Sequence, residues 1–106
     1  MNHRIKSWTL LLLSVSLAVP VFAQTTGAEI FKTKCAMCHG ADGLAATPMG
    51  KMMKIPSFKS PDLVKAPDSQ LFDSTKNGKG KMPAYNGKLT DTQIKDVIAY
   101  IRTLQK

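Results

Sequence analysis

The sequence predicts a small all-α domain, and three observations carry that expectation. No stretch shows the period-2 alternation of β-branched residues that marks a half-buried strand. The segment from Thr90 to Lys106 carries a complete helix signal, with a cap, an apolar stripe and charged ends suited to the helix dipole. Glycines and prolines cut the remainder into pieces too short to build a large core of their own, so the helices need something else to pack on.

The chain opens on a segment that reads as a leader rather than as fold. Arg4 and Lys6 precede a mostly apolar run from Ser7 to Val19, and Pro20-Val21-Phe22-Ala23 ends on the small residue expected at a signal-peptidase site. The run is too short to span about 30 Å of hydrocarbon comfortably, so a membrane anchor is the weaker alternative. Residues 1–23 are thus expected to be a secretory signal peptide, and residues 24–106 a single domain. A domain of that size commonly needs a disulfide, a metal or a cofactor. Its only two cysteines stand together at Cys35 and Cys38, which leaves none for a structural bridge.

Gln24 to Met37 reads as the first helix, with Thr25 or Thr26 able to cap it and Gly27, Phe31 and Cys35 following one another at intervals of four. Cys35-Ala36-Met37-Cys38-His39 then places two thiols and an imidazole within about one turn. That spacing suits two thioether bonds to a haem and one bond to its iron. A redox disulfide of the thioredoxin type would want a βαβ pattern, which is missing. A zinc site would need a fourth ligand, and the one other histidine, His3, lies in the leader. A short pattern also arises by chance, so the rest of the chain has to decide.

Gly40-Ala41-Asp42-Gly43 breaks the first helix, and Leu44 to Phe58 is irregular, with a short helix expected around Met49 to Lys54. Ser60-Pro61-Asp62-Leu63 looks like a capped turn with proline at its first position, running to Ala66 before Pro67. Pro67-Asp68 to Lys76 makes another short helix with Leu71 and Phe72 inward, closed by Asn77-Gly78, and Lys79 to Lys88 is a loop. In the last helix Thr90 and Gln93 form a capping box, and Ile94, Val97, Ile98, Ile101 and Leu104 fall on one face beside Tyr100.

A haem held by His39 needs a second axial ligand if its iron is to be closed to small molecules. With His3 in the leader, methionine is the candidate. Met37 lies inside the attachment turn and cannot reach the opposite face of the ring. Met82 stands between Gly80 and Pro83, one freeing the approach and the other stiffening the chain, and lies far enough beyond His39 for the chain to wrap the macrocycle. Met49, Met52 and Met53 read as packing around the haem edge, with the true ligand among them as the alternative.

The Cys35-to-His39 turn with Gly40-Ala41-Asp42-Gly43, the run Asn77-Gly78-Lys79-Gly80-Lys81-Met82-Pro83-Ala84-Tyr85, and a last helix bearing Tyr100 together resemble the class I c-type cytochromes. The resemblance covers essentially all of residues 24–106. It implies the small class I cytochrome c fold, with short helices packed around one covalently bound haem c and the N- and C-terminal helices in contact. It also assigns that contact to Gly27, Phe31 and Tyr100, with Val97 in support. Cys35 and Cys38 are then the attachment sites, and His39 and Met82 the iron ligands. A carbonyl, with Pro48 the candidate, is expected on the other nitrogen of His39.

The expected function is electron transfer between redox proteins outside the cytoplasm, in the periplasm if the source is a Gram-negative bacterium, by a monomeric carrier that is not an enzyme. The rivals are a haem enzyme or sensor with an open methionine side, and a haem module serving one fixed oxidase or dehydrogenase. The chain has formal charge +8, of which Arg4 and Lys6 supply two. Acid-free stretches hold Lys51, Lys54 and Lys59, then Lys76, Lys79, Lys81 and Lys88. Such a surface suits an acidic docking partner, with Lys51, Lys54, Lys79 and Lys81 around the haem edge, or weak association with an anionic membrane; a merely solubilising surface is the plainer alternative. Nucleic acid is excluded as a partner, because no aromatics interleave with the lysines and Arg102 is the one arginine beyond the leader.

Overall fold

In the computed structural model, which describes residues 11–18 and 25–106, short-range signals decide where each helix starts and stops. The expected leader boundary at Ala23 lies outside those residues, as does the expected helix start at Gln24. Residues 11–18 are exposed and carry neither helix nor strand.

The first helix begins at α1 (Gly27–Ile30), where Thr26 and Glu29 form a reciprocal capping box. It widens into a π-helical turn over Phe31–Cys35, with the Ala36 N–H reaching back to the Phe31 carbonyl, and resumes as α2 (Ala36–His39). Glycine at positive φ ends it at Gly40. The helix therefore runs two residues past the expected Met37. The extra residue in the wide turn rotates the remainder of the helix, so Phe31 is buried while Cys35 is half-exposed, and the simple interval-of-four face stops at Phe31.

Helix α3 (Pro48–Met52) has proline in its first turn and Thr47 as cap, starting one residue before the expected segment. Helix α4 (Pro61–Lys65) stops at Ala66, whose extended backbone is what a following proline favours. Ser60 stands at its cap position without a side-chain bond, contrary to the expected capped turn. Helix α5 (Asp68–Asn77) buries Leu71 and Thr75, keeps Phe72 half-buried, and ends at Gly78, again at positive φ. Helix α6 (Asp91–Leu104) is capped by Thr90 and Gln93 as expected and buries Ile94, Val97, Ile98 and Ile101. Among the described residues there is no strand, only isolated bridges at Lys79 with Met82 and Asn86 with Leu89. None of the described helices is long and apolar enough to cross a membrane.

The core sits where α1 crosses α6. Ile30, Phe31, Ile94 and Val97 are fully buried there, each contributing about 1.5–3 kcal/mol of burial. A Cβ on Gly27 would run into the Asp96 carbonyl oxygen, so the two helices touch backbone to backbone. The Phe31 ring lies 5.4 Å from Tyr100 and 6.0 Å from Phe58, both tilted at 54°. The contact expected among Gly27, Phe31, Val97 and Tyr100 is thus present. Arg102 does more than complement its own helix end. Its guanidinium donates to the carbonyls of Leu63 (3.1 Å) and Ala66 and meets the Asp68 carboxylate at 2.9 Å, tying the end of α4 to α6.

Candidate functional site

Cys35, Cys38 and His39 lie on the second half of the first helix, and the loop after it folds back to hold them. The Thr47 hydroxyl donates to the Cys38 carbonyl (3.0 Å) and accepts from the Gly50 N–H (2.9 Å). The Ala45 N–H donates to the His39 carbonyl at 2.7 Å, which the chain achieves by holding Ala45 at φ 54°, a conformation L-residues seldom adopt. Gly50 must be glycine, since a Cβ would meet the carbonyl oxygens of Cys38 and Ala45. The turn is thus clamped through its last carbonyls, which a helix end leaves free.

Phe58 was not singled out by the sequence as part of the site. Its N–H donates to the Gly43 carbonyl (2.9 Å), and its buried ring stacks on the His39 imidazole with centroids 4.6 Å apart and planes at 16°. This ring fixes the orientation of the histidine against the core. Its only signal in the sequence is an aromatic in a stretch otherwise without pattern. Pro48 does not supply the expected carbonyl: it opens α3, and the buried Nδ1 of His39 has no hydrogen-bond partner.

The chemistry of these groups fits a haem. Burial pushes His39 below the usual histidine range, so the ring is neutral near pH 7 and keeps a lone pair for a metal. Cys35 and Cys38 are half-buried and unbonded to each other. Burial, opposed by Lys34 and reinforced by Cys38, pushes Cys35 up to about 11. A disulfide-exchange thiol is tuned the other way, towards thiolate, which weighs against the redox-disulfide alternative. Zinc is no better served, because no three His, Cys, Asp or Glu side chains converge as a metal site among the described residues.

Met82 lies half-buried in the loop from Gly78 to Tyr85. That loop curls over Gly78, where a Cβ would meet the Met82 carbonyl oxygen at 2.8 Å, and Lys79 and Met82 exchange backbone hydrogen bonds of 3.2 and 2.9 Å. The Tyr85 hydroxyl donates to the Lys34 carbonyl at 3.0 Å, which brings the Met82 loop against the helix of Cys35, Cys38 and His39. Burial, then the neighbouring Cys35 and Cys38, push the Tyr85 phenol up, so it is a donor at neutral pH. Of the alternative methionines, Met37 and Met52 are 76% and 69% exposed and face solvent, while Met49 and Met53 are half-buried. Lys51, Lys54, Lys79 and Lys81 are exposed and outside the ion pairs of the described residues. Lys76 instead pairs with Asp91 at 3.1 Å.

Comparison with known proteins gives the family of the chain. The family described as cytochrome c oxidase, cbb3-type, subunit III matches residues 22–101. Cytochrome c6 of Picosynechococcus sp. is 33% identical over 100 residues, covering 88% of this chain and 85% of its own length. Cytochrome c6 of Nostoc sp. is 32% identical over 103 residues, covering 91% and 90%. The structure of a c-type cytochrome designated KustC0563 aligns with a TM-score of 0.70 at 24% identity, over 76% of this chain and 99% of that one, a likeness of fold. Helices folded onto a two-thiol, one-imidazole turn define a haem domain. The chain belongs to the class I c-type cytochromes. Its cofactor is accordingly covalently bound haem c with its iron, and its activity is haem-based electron transfer with redox partners.

Proposed function

We propose that this protein is an exported monomeric electron carrier in which Cys35 and Cys38 hold the haem and His39 and Met82 occupy the two axial positions of its iron. The observation that carries the reading is the half-buried His39 imidazole, held below its usual range and stacked on Phe58, on the same turn as two unpaired thiols. When bound, the haem supplies a one-electron Fe(III)/Fe(II) couple, and a thioether ligand raises its potential relative to a second histidine. Phe58 keeps the imidazole oriented, the Thr47 clamp keeps the attachment turn in place, and Met82 closes the side that an enzyme or sensor would leave open. On this reading the protein transforms no substrate.

Residues 1–23 direct export and are removed, leaving the domain 24–106, in the periplasm if the source is Gram-negative. Unpaired Lys51, Lys54, Lys79 and Lys81 favour an acidic protein surface as partner, with weak attraction to anionic membranes as a by-product. The family described as an oxidase subunit favours a second reading, a haem module serving one fixed oxidase. That reading predicts co-purification with the oxidase instead of free diffusion.

The ligand assignment is tested by the weak far-red absorbance band of methionine-ligated ferric haem. It should disappear in Met82→Ala and survive in Met49→Ala and Met53→Ala; the reverse pattern overturns the assignment. The mass of the native protein tests removal of the leader. Association rates that stay flat as salt rises would remove the charge-steering claim.

A further inference from the structure

The loop that carries Met82 is pinned at both ends to α5 but hardly held across its span. After Met82, the Tyr85 and Asn86 N–H groups donate to the Thr75 and Lys76 carbonyls, each at 3.0 Å, and before it the chain turns at Gly78. Between these points the backbone hydrogen bonds are the local pair between Lys79 and Met82, and Gly80 at the tip stands in open space. Few backbone hydrogen bonds therefore hold this span to the rest of the chain. Among the described residues, one hydrogen bond joins it to the first helix, from the Tyr85 hydroxyl to the Lys34 carbonyl, between residues 51 positions apart.

Tyr85 is half-buried and its bond lies at the surface, where most such bonds do no more than satisfy the group. The location of this one gives it a further consequence. Its acceptor belongs to the residue next to Cys35, and its donor lies three residues beyond Met82. It therefore joins the segment bearing one proposed axial ligand to the segment bearing the other. No other hydrogen bond among the described residues restrains that separation.

We propose that Tyr85 is a positioning residue for Met82, its hydroxyl latching the Met82 loop to the attachment helix so that the thioether stays over the iron. The proposal rests on the reading of Met82 as axial ligand. Losing the latch leaves the ring packed and the loop anchored to α5, but raises the fraction of time the methionine is away from the iron. An external ligand competing for that position then binds more tightly, by the amount the latch contributed.

The test is imidazole binding to the ferric holoprotein, with thermal unfolding measured alongside, in the native protein, Tyr85→Phe, Lys88→Ala and Met82→Ala. Tyr85→Phe removes the hydroxyl and keeps the ring. Lys88→Ala removes the cation lying 5.9 Å from the centre of that ring and keeps the hydroxyl. Tyr85→Phe should bind imidazole about three- to tenfold more tightly, the range a single net hydrogen bond allows, and Lys88→Ala should bind it as the native protein does. If Tyr85→Phe melts earlier but binds imidazole no more tightly, the hydroxyl only contributes to packing and the latch is overturned while the Met82 reading stands. If Met82→Ala keeps the far-red band, both fail together.

Discussion

At the crossing of α1 and α6, Ile30, Phe31, Ile94 and Val97 are fully buried and Gly27 lets two backbones touch. In the loops 40–58 and 78–89, by contrast, shape rests on single hydrogen bonds, positive-φ glycines and one strained alanine, Ala45. The first region is stabilised by apolar area and is indifferent to direction. The second adds Phe58 and Leu89 to the core and also sets where His39, Phe58 and Met82 stand. Site geometry is thus assigned to the second region, and mutations should separate it from the stability of the first.

The largest effect is expected at the crossing. Ile94→Ala should cost about 2–5 kcal/mol in denaturant unfolding of the holoprotein while leaving the haem spectrum of the folded state unchanged. Gly27→Ala gives a test of sign. In an uncrowded helix interior it would stabilise by up to about 1 kcal/mol, but against the Asp96 carbonyl it should destabilise by about 1–3 kcal/mol. In the loop region, Thr47→Val removes the α3 cap and the bond to the Cys38 carbonyl. It should cost only about 1–2 kcal/mol and yet shift the midpoint potential, since it loosens the attachment turn. A change in potential for Ile94→Ala and none for Thr47→Val would erase the division.

The pH response has a defined sign. In the polypeptide without haem, the unfolded chain takes up a proton on His39 at the ordinary value of 6.5, whereas the folded chain resists it to lower pH because the ring is half-buried. This contribution is therefore complete above pH 6.5 and is lost as pH falls through the folded value. Denaturant midpoints of the haem-free chain should decline as pH falls below 6.5. The smallest effect belongs to the exposed Lys76–Asp91 pair. Replacing Lys76 by Ala should change stability by less than about 1 kcal/mol, and by less still at high salt.

The two regions also differ in how far they can be read from sequence. The start and buried face of α6 were legible because its cap and apolar stripe are local signals, although the helix ends at Leu104, short of the expected Lys106. Gly27, Phe31, Val97 and Tyr100 were placed through the resemblance. The Cys35-to-His39 turn was legible as spacing. The π-helical turn was not, because nothing in Phe31–Cys35 marks a one-residue widening. Phe58 and the clamp from Thr47 were missed for another reason: they depend on how Gly43 and Ala45 fold the chain back, which no periodicity encodes. Pro48 was the candidate for the carbonyl that the resemblance implies on His39, yet it stands at the start of α3 and Nδ1 has no partner.

The central claim is an iron closed on both sides, by His39 below and Met82 above, so that electrons pass and small molecules do not bind. Adding carbon monoxide to the ferrous holoprotein tests it directly. The closed site predicts a spectrum that does not change on the timescale of mixing, together with ready formation of the carbon monoxide complex in Met82→Ala. Immediate binding by the native protein would contradict the account and point to an open enzyme or sensor site.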